Sequence, residues 1–429
     1  MLFRSSYARP LIERIAARLN EQPKRMQILA GPRQVGKTTL VRQFLADRPA
    51  ASGMYVAADL PARTTTSTDF APGGQALAFV ATKLDEAWLL ERWQAAERAA
   101  TIWRESGHPL VAQRPFVFVL DEIQKLPRWS DQVKGLWDRQ MAEPNPMQVL
   151  LLGSAPLLMQ KGLSESLAGR YEVVPITHWS FEEMNDAFGF SIDQYVYFGA
   201  YPGGAADIHE EGRWRDYVIR GLIEPNIEKD ILMMTRVDKP ALLKQLFEVG
   251  CAYSGQIVSL DKTLGQLSDA GNVTTLARYL DLLGQAGLLA GLQKYSAQAL
   301  RRRQSPPKFQ VLNNALMSAK GNHSFSEALA DRTHWGRLVE SAVGAHLVNT
   351  AETDTRVHYW REGGLEVDFV IEHRGRLAAI EVKSGKVNSN QPGLAEFLRR
   401  HANCSKWLVG SDALPLGEFL RYPATHWGA

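Results

Sequence analysis

One stretch limits the fold of this chain more than any other: Gly31-Pro32-Arg33-Gln34-Val35-Gly36-Lys37-Thr38. It fits G-x-x-x-x-G-K-[ST], follows the short apolar run Met26–Ala30 and precedes an amphipathic segment, 39–45. A strand, a glycine-bearing loop and a helix in that order predict an α/β unit with the loop at the carboxyl end of its sheet. The glycines let backbone N–H groups curl around phosphate oxygens, and the helix N-terminus adds a favourable dipole. In this pattern Lys37 reaches the β- and γ-phosphates of ATP and the Thr38 hydroxyl ligates Mg²⁺. The nucleotide-facing set is then Gly31, Pro32, Arg33, Gln34, Val35, Gly36, Lys37, Thr38 and Thr39.

The partner carboxylates follow at 116–122, FVFVLDE, an apolar strand closing on Asp121 and Glu122. At the sheet's carboxyl edge Asp121 is placed to hold Mg²⁺ through water, and Glu122 to orient and deprotonate an attacking water. A further run, 149–152, leads into Gly153-Ser154, where the Ser154 hydroxyl would sense the γ-phosphate or where the pair simply turns the chain. Arg170, in LAGRY, reads either as an arginine finger or sensor or as half of a surface salt bridge. The run 54–58 reads as a further strand; between it and 116–120, residues 83–106 read as a long Ala/Trp-rich helix, and 213–234 as another helical segment.

These residues carry a resemblance. GPRQVGKTT, FVLDEIQKLPRW, LLLGSAPLLM, LAGR and WSFEE are similar to bacterial and archaeal AAA-type P-loop ATPases whose C-terminal half is a domain of unknown function (DUF4143-type). KFQVLNNALMSA, GRLVESAVGAHL, YWREGGLEVDFVI and IEVKSG extend it over nearly the whole chain, with Asn313 standing where that family usually has aspartate. The resemblance implies nucleotide binding and ATP hydrolysis; a ring assembly of copies would make Arg170 a finger acting in trans.

Residues 240–300 suggest a winged helix. Leu242, Leu243, Leu246 and Val249 mark one helix, 260–267 a second, and 273–284 a third capped by Asn272; 287–295 would be the hairpin wing. The outer face of the third helix carries Thr274, Thr275 and Arg278, the positions that would read a DNA groove. Residues 236–310 hold ten Lys/Arg against five Asp/Glu, an excess larger than the +3 of the whole chain. Such a local excess suits nucleic acid, although winged helices also serve as protein contacts.

In EVDFVIEHRGRLAAIEVK, a turn at Arg374-Gly375 pairs Phe369 with Ile380, Ile371 with Ala378, Asp368 with Glu381 and Glu366 with Lys383. Strand alternation then leaves one face apolar and gathers the charged residues on the other. Asp368 and Glu381 would ligate Mg²⁺, Glu340 from an upstream helix would add a ligand, and Lys383 would activate water for phosphodiester cleavage. This D…ExK arrangement resembles the restriction-endonuclease-like fold; an inert hairpin with a Glu–Lys pair is the other reading.

The remaining features bound the setting. The 429 residues, 45% hydrophobic and 22% charged, exclude a disordered or collagen-like chain and suffice for two to four domains. Cys251 and Cys404 cannot form a disulfide framework, and the ten histidines show no zinc spacing. No apolar run approaches a membrane span and the N-terminus lacks a signal-peptide pattern, so a soluble cytoplasmic protein is expected.

The expected architecture is α/β: a P-loop NTPase parallel sheet over 1–205, a helical and winged-helix middle over 206–300, and a restriction-endonuclease-like domain over 301–429, with the basic, proline-bearing stretch 301–308 (RRRQSPPK) read as a linker ahead of the C-terminal region. The expected function is a Mg²⁺-dependent ATPase whose nucleotide state controls the C-terminal module, acting on DNA, with a homo-oligomer allowed. An ATP-regulated DNA nuclease and a non-enzymatic ATP-switched scaffold are the alternatives.

Overall fold

Five short strands form the sheet of the N-terminal half, and all but the last, an edge strand, are mostly apolar and buried because both faces of the sheet are covered there. They are β1 (Met26–Ala30), β2 (Gly53–Ala57), β3 (Val117–Asp121), β4 (Gln148–Gly153) and β5 (Tyr171–Pro175). The order is β2-β3-β4-β1-β5, with every pair parallel. Helices α1 (Leu11–Asn20) and α2 (Lys37–Ala46) cover one face, where Ile15, Leu19, Leu40, Val41 and Phe44 meet Leu29, Tyr55, Val119 and Leu150. The other face carries α3 (Glu86–Glu105) and α4 (Trp129–Met141). The Ala/Trp composition of α3 has a packing cause: Ala95, Ala96, Ala99 and Ala100 allow close approach, while Trp93 stands edge-on to Phe118 with ring centroids 5.7 Å apart.

The computed structural model describes residues 7–58, 84–144, 146–153, 166–232, 237–265, 272–296, 305–385, 391–410 and 413–428. The chain divides into two compact units, Met1–Ile176 and Thr177–Ala429.

The second unit is built on a mixed sheet, β11-β10-β9-β8-β6-β7. Its strands are β6 (Leu289–Lys294), β7 (Lys308–Val311), β8 (Thr355–Glu362), β9 (Leu365–His373), β10 (Arg376–Lys383) and β11 (Cys404–Gly410). Helices α5 (Pro240–Ala252), α6 (Leu260–Leu264) and α7 (Val273–Gln285) precede the sheet. Helix α8 (Arg332–Thr350) packs on β7 and β10, and α9 (Pro392–Arg400) packs on β9 and β10. Where a helix is expected over 213–234, an α-helix over Glu211–Asp216 runs on into π-helical turns over Tyr217–Ile223 and Asn226–Ile231.

Two expectations change. Residues 287–295 are not a hairpin. Gly287, at φ 76°, ends α7, and Leu288 N–H bonds back to the Leu283 carbonyl. The chain then runs straight through Gly291 as β6, antiparallel to β7. Gly291 is there for packing, since a Cβ would stand 2.5 Å from Leu280 Cδ2. The boundary expected at 300/301 also falls between two strands of one sheet, because β6 pairs with β7 and, in parallel, with β8. The basic stretch 301–308 is thus no simple linker: 301–304 lie outside the described residues, and Lys308 opens β7 fully buried.

Candidate functional site

The loop after β1 is shaped by its backbone. Gln34 at φ 59° and Gly36 at φ 86° both adopt left-handed conformations, which turn successive N–H groups to one side as an anion nest. Gly31 admits no side chain, because a Cβ would lie 1.9 Å from the Ile176 carbonyl oxygen. Helix α2 starts at Lys37, two residues earlier than the apolar pattern suggests. Lys37 Nζ donates to the carbonyls of Gly31 at 2.8 Å and Pro32 at 2.6 Å, so the ammonium is held across the loop. Val35 is wholly buried and contributes backbone only, its carbonyl accepting from Arg9. Arg33, Gln34, Gly36, Lys37, Thr38, Thr39, Glu122 and Lys125 line an open cleft of about 310 Å³.

Thr38 and Asp121 meet there. The Thr38 hydroxyl donates to Asp121 Oδ2 at 2.8 Å, and the Glu122 N–H donates to Asp121 Oδ1 at 2.8 Å. A third donor, missed in the sequence, is Tyr55, whose hydroxyl lies 2.6 Å from Asp121 Oδ2. Tyr55 pairs with Val119, so on the same face of the sheet it is the diagonal neighbour of Asp121. Burial, and then the hydrogen bond to Asp121, push the Tyr55 hydroxyl pKa far above the usual phenol value, so the proton stays on tyrosine. A tyrosine within an otherwise apolar strand was the available signal. Glu122 sits at φ 54°, just past β3, and accepts from Gln124 Nε2 at 2.6 Å. Gln124 and Lys125 were also missed; both follow from the turn that Glu122 opens.

Two expected residues are not in the cleft. Ser154 lies outside the described residues. Arg170 is at the opposite end of the sheet: its carbonyl accepts from Met26 N–H, the first residue of β1, whereas the phosphate loop follows the last. Five residues of strand separate them, about 16 Å, well beyond an arginine side chain. Its guanidinium instead forks onto Asp138, Nε–Oδ1 2.6 Å and Nη2–Oδ2 2.9 Å. A sensor role toward nucleotide in the same subunit is therefore corrected to a surface ion pair.

In the second unit the hairpin has the expected register, Phe369↔Ile380 and Ile371↔Ala378, around a turn with Arg374 at φ 49° and Gly375 at φ 80°. The β9–β10 pairing ends at Phe369, where β9 bulges against β8: Val370 opposes His358 but Val367 opposes Trp360. That extra residue puts Val367 and Val370, three apart, into one core cluster with Leu394 and Phe397 of α9. Regular alternation thus fails beside Asp368. Asp368 Oδ2 accepts the Val382 N–H at 2.8 Å, and Lys383 Nζ donates to Glu381 Oε1 at 2.7 Å. Glu340 faces Lys308 at 2.6 Å rather than the hairpin carboxylates alone. Burial, then Asp368, raises the Glu340 carboxyl pKa, and the same two causes raise that of Glu381. Burial alone would lower the Lys308 pKa, but Glu340, Asp368 and Glu366 together outweigh it and hold it above the ordinary lysine value.

The metal set of Glu340, Asp368 and Glu381 does not fit a divalent ion in this arrangement. Among the described residues, no three His, Cys, Asp or Glu side chains stand together so as to hold one. Glu381 Oε2 is buried with no hydrogen-bond partner, but one free oxygen is not a coordination sphere. Asn313 is a packing hub: its Oδ1 accepts from Ala200 and Ala315 N–H, and its Nδ2 meets His178 Nδ1 at 3.1 Å.

A parallel sheet in this order, a phosphate-type loop after β1 and an acidic pair after β3 define an AAA-type P-loop ATPase domain. Residues 23–185 match the family model of the AAA domain. Residues 189–325 and 335–413 match two domains of unknown function, DUF8612 and DUF4143. The chain therefore carries an AAA domain ahead of a DUF4143 domain, the combination its sequence resembles.

Uncharacterized proteins of Mycobacterium bovis and Mycobacterium tuberculosis are each 25% identical over 286 residues, 66% of this chain. The match spans 61% of the length of those curated relatives. Among solved structures, a Walker-type ATPase of Pyrococcus abyssi is 16% identical, covering 72% of this chain and 94% of that one, with a TM-score of 0.46. AMPPCP-bound DnaA from Aquifex aeolicus is 11% identical, covering 64% of this chain and 86% of that one, at a TM-score of 0.30. No helix among the described residues is long and apolar enough to cross a membrane.

Proposed function

We propose that this protein is a Mg²⁺-dependent ATPase whose nucleotide state controls its C-terminal half, which acts on DNA. The observation that carries the reading is the 2.8 Å contact between Thr38 Oγ1 and Asp121 Oδ2 beside Lys37. A hydroxyl and a carboxylate so placed fit Mg²⁺, which would neutralise phosphate charge when bound. Lys37 and the loop N–H groups hold the β- and γ-phosphates, and the N-terminus of α2 adds its dipole. Glu122 accepts the proton of an in-line water once its carboxylate leaves Gln124. An Arg170 finger would have to come from another copy and first leave Asp138.

DNA contact is supported by the second unit. Helix α5, a bridge between Ile257 and Lys308, helices α6 and α7, and the antiparallel β6 and β7 follow one another in a winged-helix order. Thr274 and Arg278 lie on the exposed side of α7, while Leu276, Tyr279, Leu280 and Leu283 are buried. Asp368, Glu381 and Lys383 gathered on one hairpin favour a nuclease-like ancestry for the C-terminal module. The test is ATP turnover with and without duplex DNA, alongside low-salt gel shifts for wild type and Arg278→Ala. Turnover stimulated by DNA, with binding weakened in the variant, is expected. Absence of any DNA binding would leave the protein-switch reading instead.

A further inference from the structure

Lys308 is fully buried at the start of β7, a position where a free ammonium would be costly. Its Nζ lies 2.6 Å from Glu340 Oε1, donates to the Asp368 carbonyl at 3.0 Å, and stands 3.9 Å from Glu366 and 4.0 Å from Asp368 Oδ1. It also rests over the Phe369 ring, 4.6 Å from the centroid. One ammonium thus faces three carboxylates and a carbonyl supplied by α8 and β9. A divalent ion shared by Glu340 and Asp368 would need oxygens at roughly 2.0–2.6 Å. Lys308 Nζ already lies within 4.0 Å of an oxygen of each of those two side chains. The rest of the cluster has its own donors: the Val382 N–H takes Asp368 Oδ2 and Lys383 takes Glu381 Oε1.

We infer that Lys308 is a built-in cation standing where a divalent metal would stand, so that the C-terminal carboxylate cluster binds no metal and instead ties β7, α8 and β9 together. The Asp368 carbonyl that Lys308 reaches lies within the bulge of β9 at 368–369. The inference concerns the second unit alone and stands apart from the ATPase reading.

The test uses the full chain with Thr38→Ala and Asp121→Asn, which silence the cleft of the first unit. Calorimetric titration with Mn²⁺ should give no binding up to millimolar concentration in this parent. Adding Lys308→Met should create one Mn²⁺ site, lost again when Glu340→Gln is added. Lys308→Met should also lower the melting temperature by roughly 10 °C, with Mn²⁺ restoring part of the loss. If Lys308→Met does not fold, the parent titration still decides. Mn²⁺ binding in the parent that Asp368→Asn or Glu381→Gln abolishes would overturn the inference. A folded Lys308→Met that neither binds Mn²⁺ nor loses stability would overturn it too.

Discussion

The Tyr55 hydroxyl, on β2, donates a hydrogen bond at 2.6 Å to Asp121 on the adjacent strand β3, onto the same oxygen that Thr38 reaches. Asp121, almost fully buried, is thereby fixed by Thr38, by Tyr55 and by the N–H of Glu122 before any cation arrives. The carboxylate that the phosphate loop depends on is oriented from the neighbouring strand as well as from the loop.

Tyr55→Phe removes one donor to a buried carboxylate and should cost about 1–3 kcal/mol of stability. Denaturant unfolding of wild type and variant measures this directly. An unchanged midpoint would mean that the bond contributes nothing to the folded state.

Glu122→Gln keeps the size of the side chain and removes its ability to accept a proton. ATP affinity should stay within a few-fold of wild type while turnover falls by about 100-fold or more. Single-turnover hydrolysis assays separate the two quantities. Wild-type rates in the variant would assign the base to another group.

Gly31→Ala places a methyl group 1.9 Å from the Ile176 carbonyl oxygen, a backbone atom that cannot swing aside. The loop must shift, and a stability loss of about 2 kcal/mol or more is expected, together with loss of nucleotide binding. Thermal melting and ATP titration of the same sample check both. A variant that melts and binds like wild type would show that the loop is not held against Ile176.

His346 carries its proton on Nε2, because that atom faces the Tyr422 carbonyl at 2.8 Å. Burial pushes its pKa down from 6.5 to about 4. The unfolded chain therefore takes up a proton near pH 6.5 that the folded chain refuses until about pH 4. The stability is fully present above pH 6.5 and is lost as the pH falls toward 4, by up to about 3 kcal/mol. His346→Gln should flatten this part of the profile in urea unfolding between pH 7 and 4.5. An equally steep acid loss in the variant would place its origin elsewhere.

Local signals carried much of the fold. Apolar runs located β1 to β4 to within a residue at each end, since strands covered on both faces need no polar alternation. The hairpin register was readable because Arg374-Gly375 allows a tight turn and the apolar pairs fix which face is buried. What the sequence hid depends on neighbours distant along the chain. The bulge at 368–369 arises from pairing with β8, which sequence alternation inside the hairpin cannot report. Lys308 looked like the end of a basic linker because its carboxylate partners lie 32 to 60 residues further on. Gly291 fell within the expected wing at 287–295 because the Leu280 side chain it makes room for belongs to another element.

The most direct test of the nucleotide site is calorimetric titration of ATP with Mg²⁺ into wild type and Lys37→Ala, at matched folding by circular dichroism. Lys37 holds the loop through the Gly31 and Pro32 carbonyls and is the cation that reaches phosphate, so wild type should bind one ATP per chain. The folded Lys37→Ala protein should bind at least roughly 100-fold more weakly. Equal affinity in the two proteins would contradict the account.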